Sequence, residues 1–261
     1  MWRYNVAMSI KPIGGRKAAA KPAVAKKAAP KPRTGAKPVI AKPVIAKPVT
    51  PRSAGKSAQS SYHHGDLHGA LLRAAETVLE RDGLQGLTLR AVAREAGVSH
   101  AAPTHHFGDL GGLVSELAAT GFRRFNATMI AASATGTTPL ESALARARAY
   151  LAYARARPGM YRLMFRTEWL DFTRPSLHEA ASTSFAGLAS VVGAPQTGEG
   201  VADTLTMEQA ALIARTWSLV HGFTMLTLDG RLNDILRRLP DGTDAEALFL
   251  EMLKITVARV A

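Results

Sequence analysis

The chain has 261 residues and a formal net charge of +13 at pH 7, with enough apolar content for a folded core and no cysteine. The absent thiol excludes disulfides, thiolate metal sites and cysteine nucleophiles, and it agrees with a cytoplasmic protein. No run of about 18 apolar residues occurs, so neither a membrane-spanning helix nor a membrane partner is expected, and the opening MWRYNVAMSIKP lacks the apolar centre of a secretory leader.

Charge is concentrated at one end. Residues 1–60 hold fourteen Lys or Arg and no acid, and the first acidic residue is Asp66. The remainder carries nineteen basic and twenty acidic residues, so the positive balance belongs entirely to this segment. Eight of the fourteen prolines fall there too, together with the repeat KPVIA at Lys37 and Lys42 and its variant KPVTP at Lys47. Proline at this density blocks helices and sheets, and few large apolar groups are present to offset the entropy of ordering. A disordered basic tail over 1–60 is expected. Its Lys-Pro-Ala composition resembles the tails of linker histones. It serves either as a solubilising linker or as an arm along the DNA backbone.

From Tyr62 onward nearly everything reads as helix. The first spans about Gly65 to Asp82, with Leu67, Leu71, Ala74, Ala75, Val78 and Leu79 on one face, and stops at Gly83. The segment LTLRAVAREAGVSHAAPTHHFGDLGGL, Leu87 to Leu113, then reads as a short helix, a tight turn and a second short helix. Thr88 can cap the first of these by accepting an orphan amide proton. Leu89, Val92, Ala93 and Ala96 mark its buried face, Gly97 can take the left-handed conformation that ends it, and Val98 can pack back. Ser99 is placed to cap the next helix. That helix carries His100, Thr104 and His105 as hydrogen-bonding readers, beside Ala101 and Ala102, which leave room for close approach to a major groove. Thr88, Arg90, Ser99, His100, Ala101, Ala102, Thr104 and His105 are the candidate contacts to double-stranded DNA.

On these residues the segment resembles the DNA-binding domain of TetR-family transcriptional regulators, over about residues 62 to 125. His106-Phe107 followed by Gly108-Asp109 resembles the family's signature after the recognition helix, which implies a packing role for His106. Two positions depart from the pattern. Thr104 stands where the family usually has a phosphate-contacting tyrosine, and Leu110 where it usually has a lysine. Both losses weaken backbone anchoring, which positions a protein without reading sequence.

Further helices are expected at about Gly111 to Ala134, Pro139 to Ala156, the short piece MYRLMF, Ser176 to Val192, Met207 to Leu228 and Asp244 to Val260. TEWLDFTRP and GAPQTGEGVADTLT read as irregular. Roughly nine helices and no convincing strand make the chain all-α, with a helix-turn-helix domain at 61–125 and a helical effector-binding and dimerisation domain at 126–261. Trp217, His221 and Gly222 in TWSLVHGF resemble the Trp-His-Gly hallmark of one TetR-type C-terminal domain, and RPGMYRLMF from Arg157 resembles a segment of the same domains.

Tyr161, Met164, Phe165, Trp169, Phe172, Phe185, Trp217, His221 and Met225 are candidates to line an effector pocket, in which Tyr161 and His221 supply the polar groups. The same residues also read as ordinary core. Six of the eight histidines lie between His63 and His106, without acids at a ligand spacing, so no metal or cofactor is expected. No residue pairs with His221 at a catalytic spacing, and no enzyme activity is expected.

The expected function is a ligand-responsive repressor, acting as a homodimer on a pseudo-palindromic operator and responding to an unidentified small-molecule effector. The last two helices offer apolar stripes for dimerisation: Leu212, Trp217, Leu219 and Val220 on one, Leu248, Leu250, Leu253 and Val257 on the other. The rival reading is a nucleoid-associated, histone-like protein of low sequence specificity, bound mainly through its tail.

Deletion of residues 1–60 separates these readings. As a flexible coil the segment spans roughly 40 Å, and each phosphate it neutralises adds about −0.9 to the slope of log affinity against log salt. The truncated protein is expected to keep its preferred sequence, bind more weakly at low salt and show a flatter slope. An unchanged slope identifies a linker; loss of all binding favours the nucleoid-protein reading.

Overall fold

The computed structural model describes residues 66–194, 196–197, 200–202 and 204–258. The tail expected over 1–60 lies outside them, as do His63, His64 and the side chain of Val257. Among the described residues the chain is helical apart from one short strand pair.

Helix α1 spans Leu67–Gly86 and begins where the Asp66 carboxylate accepts from Gly69 N at 2.9 Å. Leu71, Ala74, Ala75, Val78 and Leu79 form its buried face. Gly83 breaks it with φ 70°, a conformation open to glycine, and one further turn runs on to Gly86. Helix α2, Leu89–Glu95, is capped by Thr88, whose hydroxyl accepts from Ala91 N at 3.1 Å. Gly97 then turns with φ 68°, and Val98 N donates to the Ala93 carbonyl.

Helix α3, Ala102–Phe107, starts later than the sequence suggests. Ser99 does not cap it. The preceding residue is Ala101, no side chain caps the helix, and Ser99 contributes only a backbone carbonyl that accepts from Ala102 N. Pro103 in the first turn has its φ already set for a helix and lacks the donor that would need a cap. Asp109 opens helix α4, Leu110–Ser133, by accepting from Gly112 N at 2.7 Å. At 1.5 Å per residue α4 is roughly 36 Å long.

Helix α5, Pro139–Ala156, begins with a capping box between Thr138 and Glu141. Helix α6 is Pro158–Met164 and α7 is Pro175–Val191. Two stretches expected to be irregular contain local order. Thr167–Trp169 forms a single 3-10 turn, and Gln196–Thr197 pairs antiparallel with Gly200–Val201. Helix α8, Met207–Leu228, has a second capping box, Thr206 with Gln209. A four-residue helix not anticipated from the sequence, α9 at Asn233–Leu236, precedes α10, Ala245–Ala258.

The main core runs from α1 through α7. Helix α4 is its axis: Leu113, Val114, Leu117, Ala118, Ala119, Phe122, Phe125 and Met129 are buried along it, against α1, α5, α6 and α7. A second cluster joins α5, α8 and α10, where Phe223 stacks on Phe249 at 4.7 Å. A third gathers Ala189, Ala194 and Ile213.

Helix α6 has no cap of its own. The Glu80 carboxylate of α1 supplies one, accepting from Gly159 N at 2.9 Å and Met160 N at 2.8 Å. Beside it Glu76 accepts from Arg124 of α4 at 2.7 Å and lies 3.9 Å from Arg157. A carboxylate here satisfies two orphan amides and faces the positive end of the α6 dipole. Glu80→Ala is expected to lower stability in urea unfolding by about 0.5–2 kcal/mol, the range for losing an N-terminal cap. Glu80→Gln, which keeps an acceptor without the charge, is expected to lose less.

Candidate DNA-reading face and buried tyrosine-histidine cluster

The α2–turn–α3 unit presents one face outward. Thr88, Arg90, Ser99, His100, Ala101, Thr104 and His105 are exposed, and Ala102 is half-buried. On the inner side Pro103 and Phe107 are buried. The Phe107 ring lies 4.8 Å from the His68 ring of α1. Helix α3 is thus held by two apolar residues and offers small and hydrogen-bonding groups to the outside. Arg90 is exposed and makes no ion pair among the described residues.

His106, expected to pack inward, is exposed instead. Its ring stands edge-on to His68 at 6.1 Å and to His105 at 5.5 Å. Phe107, one residue on, takes the interior position, and successive residues on a helix point about 100° apart. Leu110 is half-buried against the main core at the first position of α4.

The second constellation is interior. Tyr161 of α6 is fully buried, and its hydroxyl lies 2.8 Å from His221 Nδ1 and 3.0 Å from the Tyr150 hydroxyl. The Tyr150 hydroxyl is 3.3 Å from the same nitrogen. Helices α5, α6 and α8 therefore each contribute one polar group to a triangle. Phe165 lies against the His221 ring at 4.5 Å, and Trp217 is edge-on to it at 6.4 Å. Trp217 is 42% exposed, so this aromatic wall reaches the surface.

Burial sets the proton chemistry. Removal from water pushes the Tyr161 and Tyr150 hydroxyls well above the usual phenol range, with the neighbouring Tyr150 adding to the effect on Tyr161. The Tyr153 hydroxyl, which donates to the Gly121 carbonyl at 2.9 Å, is pushed up to about 12 by burial. Burial also lowers the His221 imidazole from its usual 6.5. The triangle is therefore neutral at pH 7, with two phenol protons to share.

Of the nine residues proposed for the pocket, Tyr161, Phe165, Trp217 and His221 come together here. Met164 is buried below them, its sulfur 4.0 Å from the Tyr153 hydroxyl. Phe172 and Met225 pack against the main core, and Trp169 is half-buried in the 3-10 turn. Phe185 belongs to the separate cluster around Ile213. Tyr150 was not among the nine. It sits in an Arg- and Ala-rich helix without a local sign of a site, and only the packing of three helices brings it to His221.

Residues 71–117 match the bacterial regulatory proteins of the tetR family, and residues 143–255 match the tetracyclin repressor-like C-terminal domain. The chain belongs to the TetR family. An uncharacterized HTH-type transcriptional regulator of Mycobacterium tuberculosis is 28% identical over 207 residues, which is 77% of this chain and 84% of the relative. A solved structure of a protein of unknown function from Rhodococcus sp. RHA1 is 29% identical, with a TM-score of 0.59, covering 77% of this chain and 98% of that one. The crystal structure of a putative regulatory protein, 22% identical over 73% of this chain and 94% of its own, shares the fold with a TM-score of 0.56.

This TetR-family chain is therefore a DNA-binding transcriptional regulator, and its C-terminal match takes in Trp217, His221 and Gly222. Among the described residues no helix is long and apolar enough to cross a membrane. No three His, Cys, Asp or Glu among them gather in a metal-holding group.

Because the folded regulator holds His221 below 6.5, the unfolded chain binds the extra proton first as pH falls. His221 therefore costs no stability above that value and reduces stability as pH drops through it. In thermal melts, wild type is expected to lose more stability than His221→Gln between about pH 7 and pH 5, with the gap widening toward acid. Parallel profiles would mean that the imidazole titrates freely.

Proposed function

We propose that this regulator is a ligand-responsive repressor that binds a pseudo-palindromic operator as a homodimer. The observation that carries the reading is the continuity between its two sites. Helix α4 begins beside the end of α3, and its Phe125 ring lies 5.1 Å from Tyr150 in the tyrosine-histidine cluster. The DNA-binding domain at 61–125 and the effector and dimerisation domain at 126–261 thus share one helix. A ligand bound among Tyr150, Tyr161, Trp217 and His221 acts on DNA affinity only if it prefers one placement of α4 over another.

Apolar residues left outside on the last two long helices support dimerisation. Trp217 and Leu226 of α8 and Ile255 of α10 are exposed. Within the stripes read from the sequence, Val220 is buried in the second cluster, and Leu248 and Leu253 pack against it. Trp217 alone of the described stripe residues is exposed, at 42%. Two recognition helices then fall one turn of DNA apart, about 34–36 Å.

Selection from random DNA with the full chain tests the reading. Enrichment of inverted half-sites spaced by about 10–10.5 base pairs or a multiple is expected, and His100→Ala or His105→Ala should weaken binding to them by about 1–3 kcal/mol per lost base contact. Weak enrichment with a steep salt dependence would instead favour low-specificity binding through the basic tail. Unchanged preference in both variants removes these histidines from the readout.

A further inference from the structure

A cleft of about 370 Å³ opens between α4, α5 and α7, away from the tyrosine-histidine cluster, and is lined by Ile130, Ser133, Ala134, Arg146, Gly187 and Ser190. Arg146 of α5 is its one charged group. Nη2 donates to the Gly187 carbonyl at 2.6 Å and Nη1 reaches Ser190 Oγ at 3.4 Å. Both acceptors are neutral, and the Ser190 hydroxyl already donates to the Gly187 carbonyl at 2.8 Å.

Three other arginines of the same body meet carboxylates, Arg124 facing Glu76, Arg148 facing Glu246 and Arg162 facing Asp229, while unpaired ones such as Arg90 are exposed. Arg146 has no such partner among the described residues, although it is half-buried. A guanidinium has five N–H donors in a planar fork suited to carboxylate oxygens, and two of these groups are engaged here. Burial without an opposite charge is costly and is relieved by an anion. The absence of a side chain at Gly187 lets the arginine lie against that backbone, since an added Cβ would sit 3.1 Å from Nη2.

We propose that this cleft is a binding site for a small carboxylate with an apolar body, the carboxylate pairing with Arg146 and the body lying along Ile130 and Ala134. The cleft has the volume of a small-molecule site but is open to solvent, with Ile130 67% exposed, so the arginine pairing must fix the ligand. Ser133 also lines the cleft and brings a hydroxyl to it. Two of the lining residues, Ile130 and Ser133, lie in the last turn of α4, and Ala134 ends that helix, whose first turn adjoins α3. The cleft shares no residue with the tyrosine-histidine cluster, so the proposal goes beyond the ligand-responsive reading, and its binding is measured without DNA. Its failure is thus distinct from failure of that reading.

The test is calorimetric titration of the full chain with octanoate and, as the uncharged match, 1-octanol. Octanoate is expected to bind saturably at one site and at least tenfold more tightly than octanol. Arg146→Gln should abolish that preference, and Arg146→Lys should retain much of it. Circular dichroism reports whether Arg146→Gln folds. If it does not, Gly187→Ala, which crowds the guanidinium, replaces it and should weaken octanoate binding. No octanoate binding, equal affinity for octanol, or full affinity in the folded Arg146→Gln variant each overturns the proposal. Loss of octanoate binding in His221→Gln with full binding in Arg146→Gln would also overturn it and place the ligand in the tyrosine-histidine cluster.

Discussion

The long helix α4 runs the length of the main core, and the rest of the structure is arranged around that constraint. Its first turns close the pocket that receives Phe107, and its middle carries Phe122 and Phe125 into the aromatic packing below. Close packing transmits displacement, because an interior at crystal-like density has little free volume to absorb it. Gly121 shows how tight the fit is: an added Cβ would come within 2.6 Å of the Met160 sulfur.

Polar contacts hold the flanking helices to this axis. Glu76 and Glu80 of α1 tie to Arg124 of α4 and to the start of α6, while Asn126 of α4 donates to the Ala180 carbonyl of α7 at 3.0 Å. Closer to the DNA-reading unit, Ser115 accepts from Asp171 N at 3.0 Å, and Ser176 donates to Glu116 at 2.7 Å. Three of these bonds, from Gly159 N and Met160 N to Glu80 and from Asp171 N to Ser115, satisfy backbone groups at a helix start or in a loop. They fix direction where apolar packing alone would tolerate sliding.

The exposed DNA-reading face is economical in charge. Thr104 and Leu110 leave two positions without the phosphate contacts that the family pattern supplies, and the half-buried Leu110 has become part of the core. The folded part is close to neutral while the first sixty residues carry the positive excess. The positive excess therefore lies outside the helix-turn-helix residues. Hydrogen bonds to base edges specify a site, whereas diffuse positive charge raises affinity for any duplex.

The sequence alone determined what depends on local interactions. Thr88 as a cap, Gly97 as a left-handed turn and the apolar faces of α1 and α2 follow from residue types at fixed spacing, because helix ends and helix faces are set within a few residues. Ser99 misled, since Pro103, four residues further on, lets a helix start at Ala102 without a cap. His106 misled as well, since a one-residue change of position rotates a helical side chain by about 100°. Tertiary structure decided the rest. Glu80 caps a helix 79 residues away, Tyr150 meets Tyr161 and His221 from a third helix, and Arg146 lacks a counter-charge only because of what α4 and α7 place around it. Such relations have no short-range pattern: they arise when helices distant in the chain pack together, and their energies depend on burial, which the order of residues does not display.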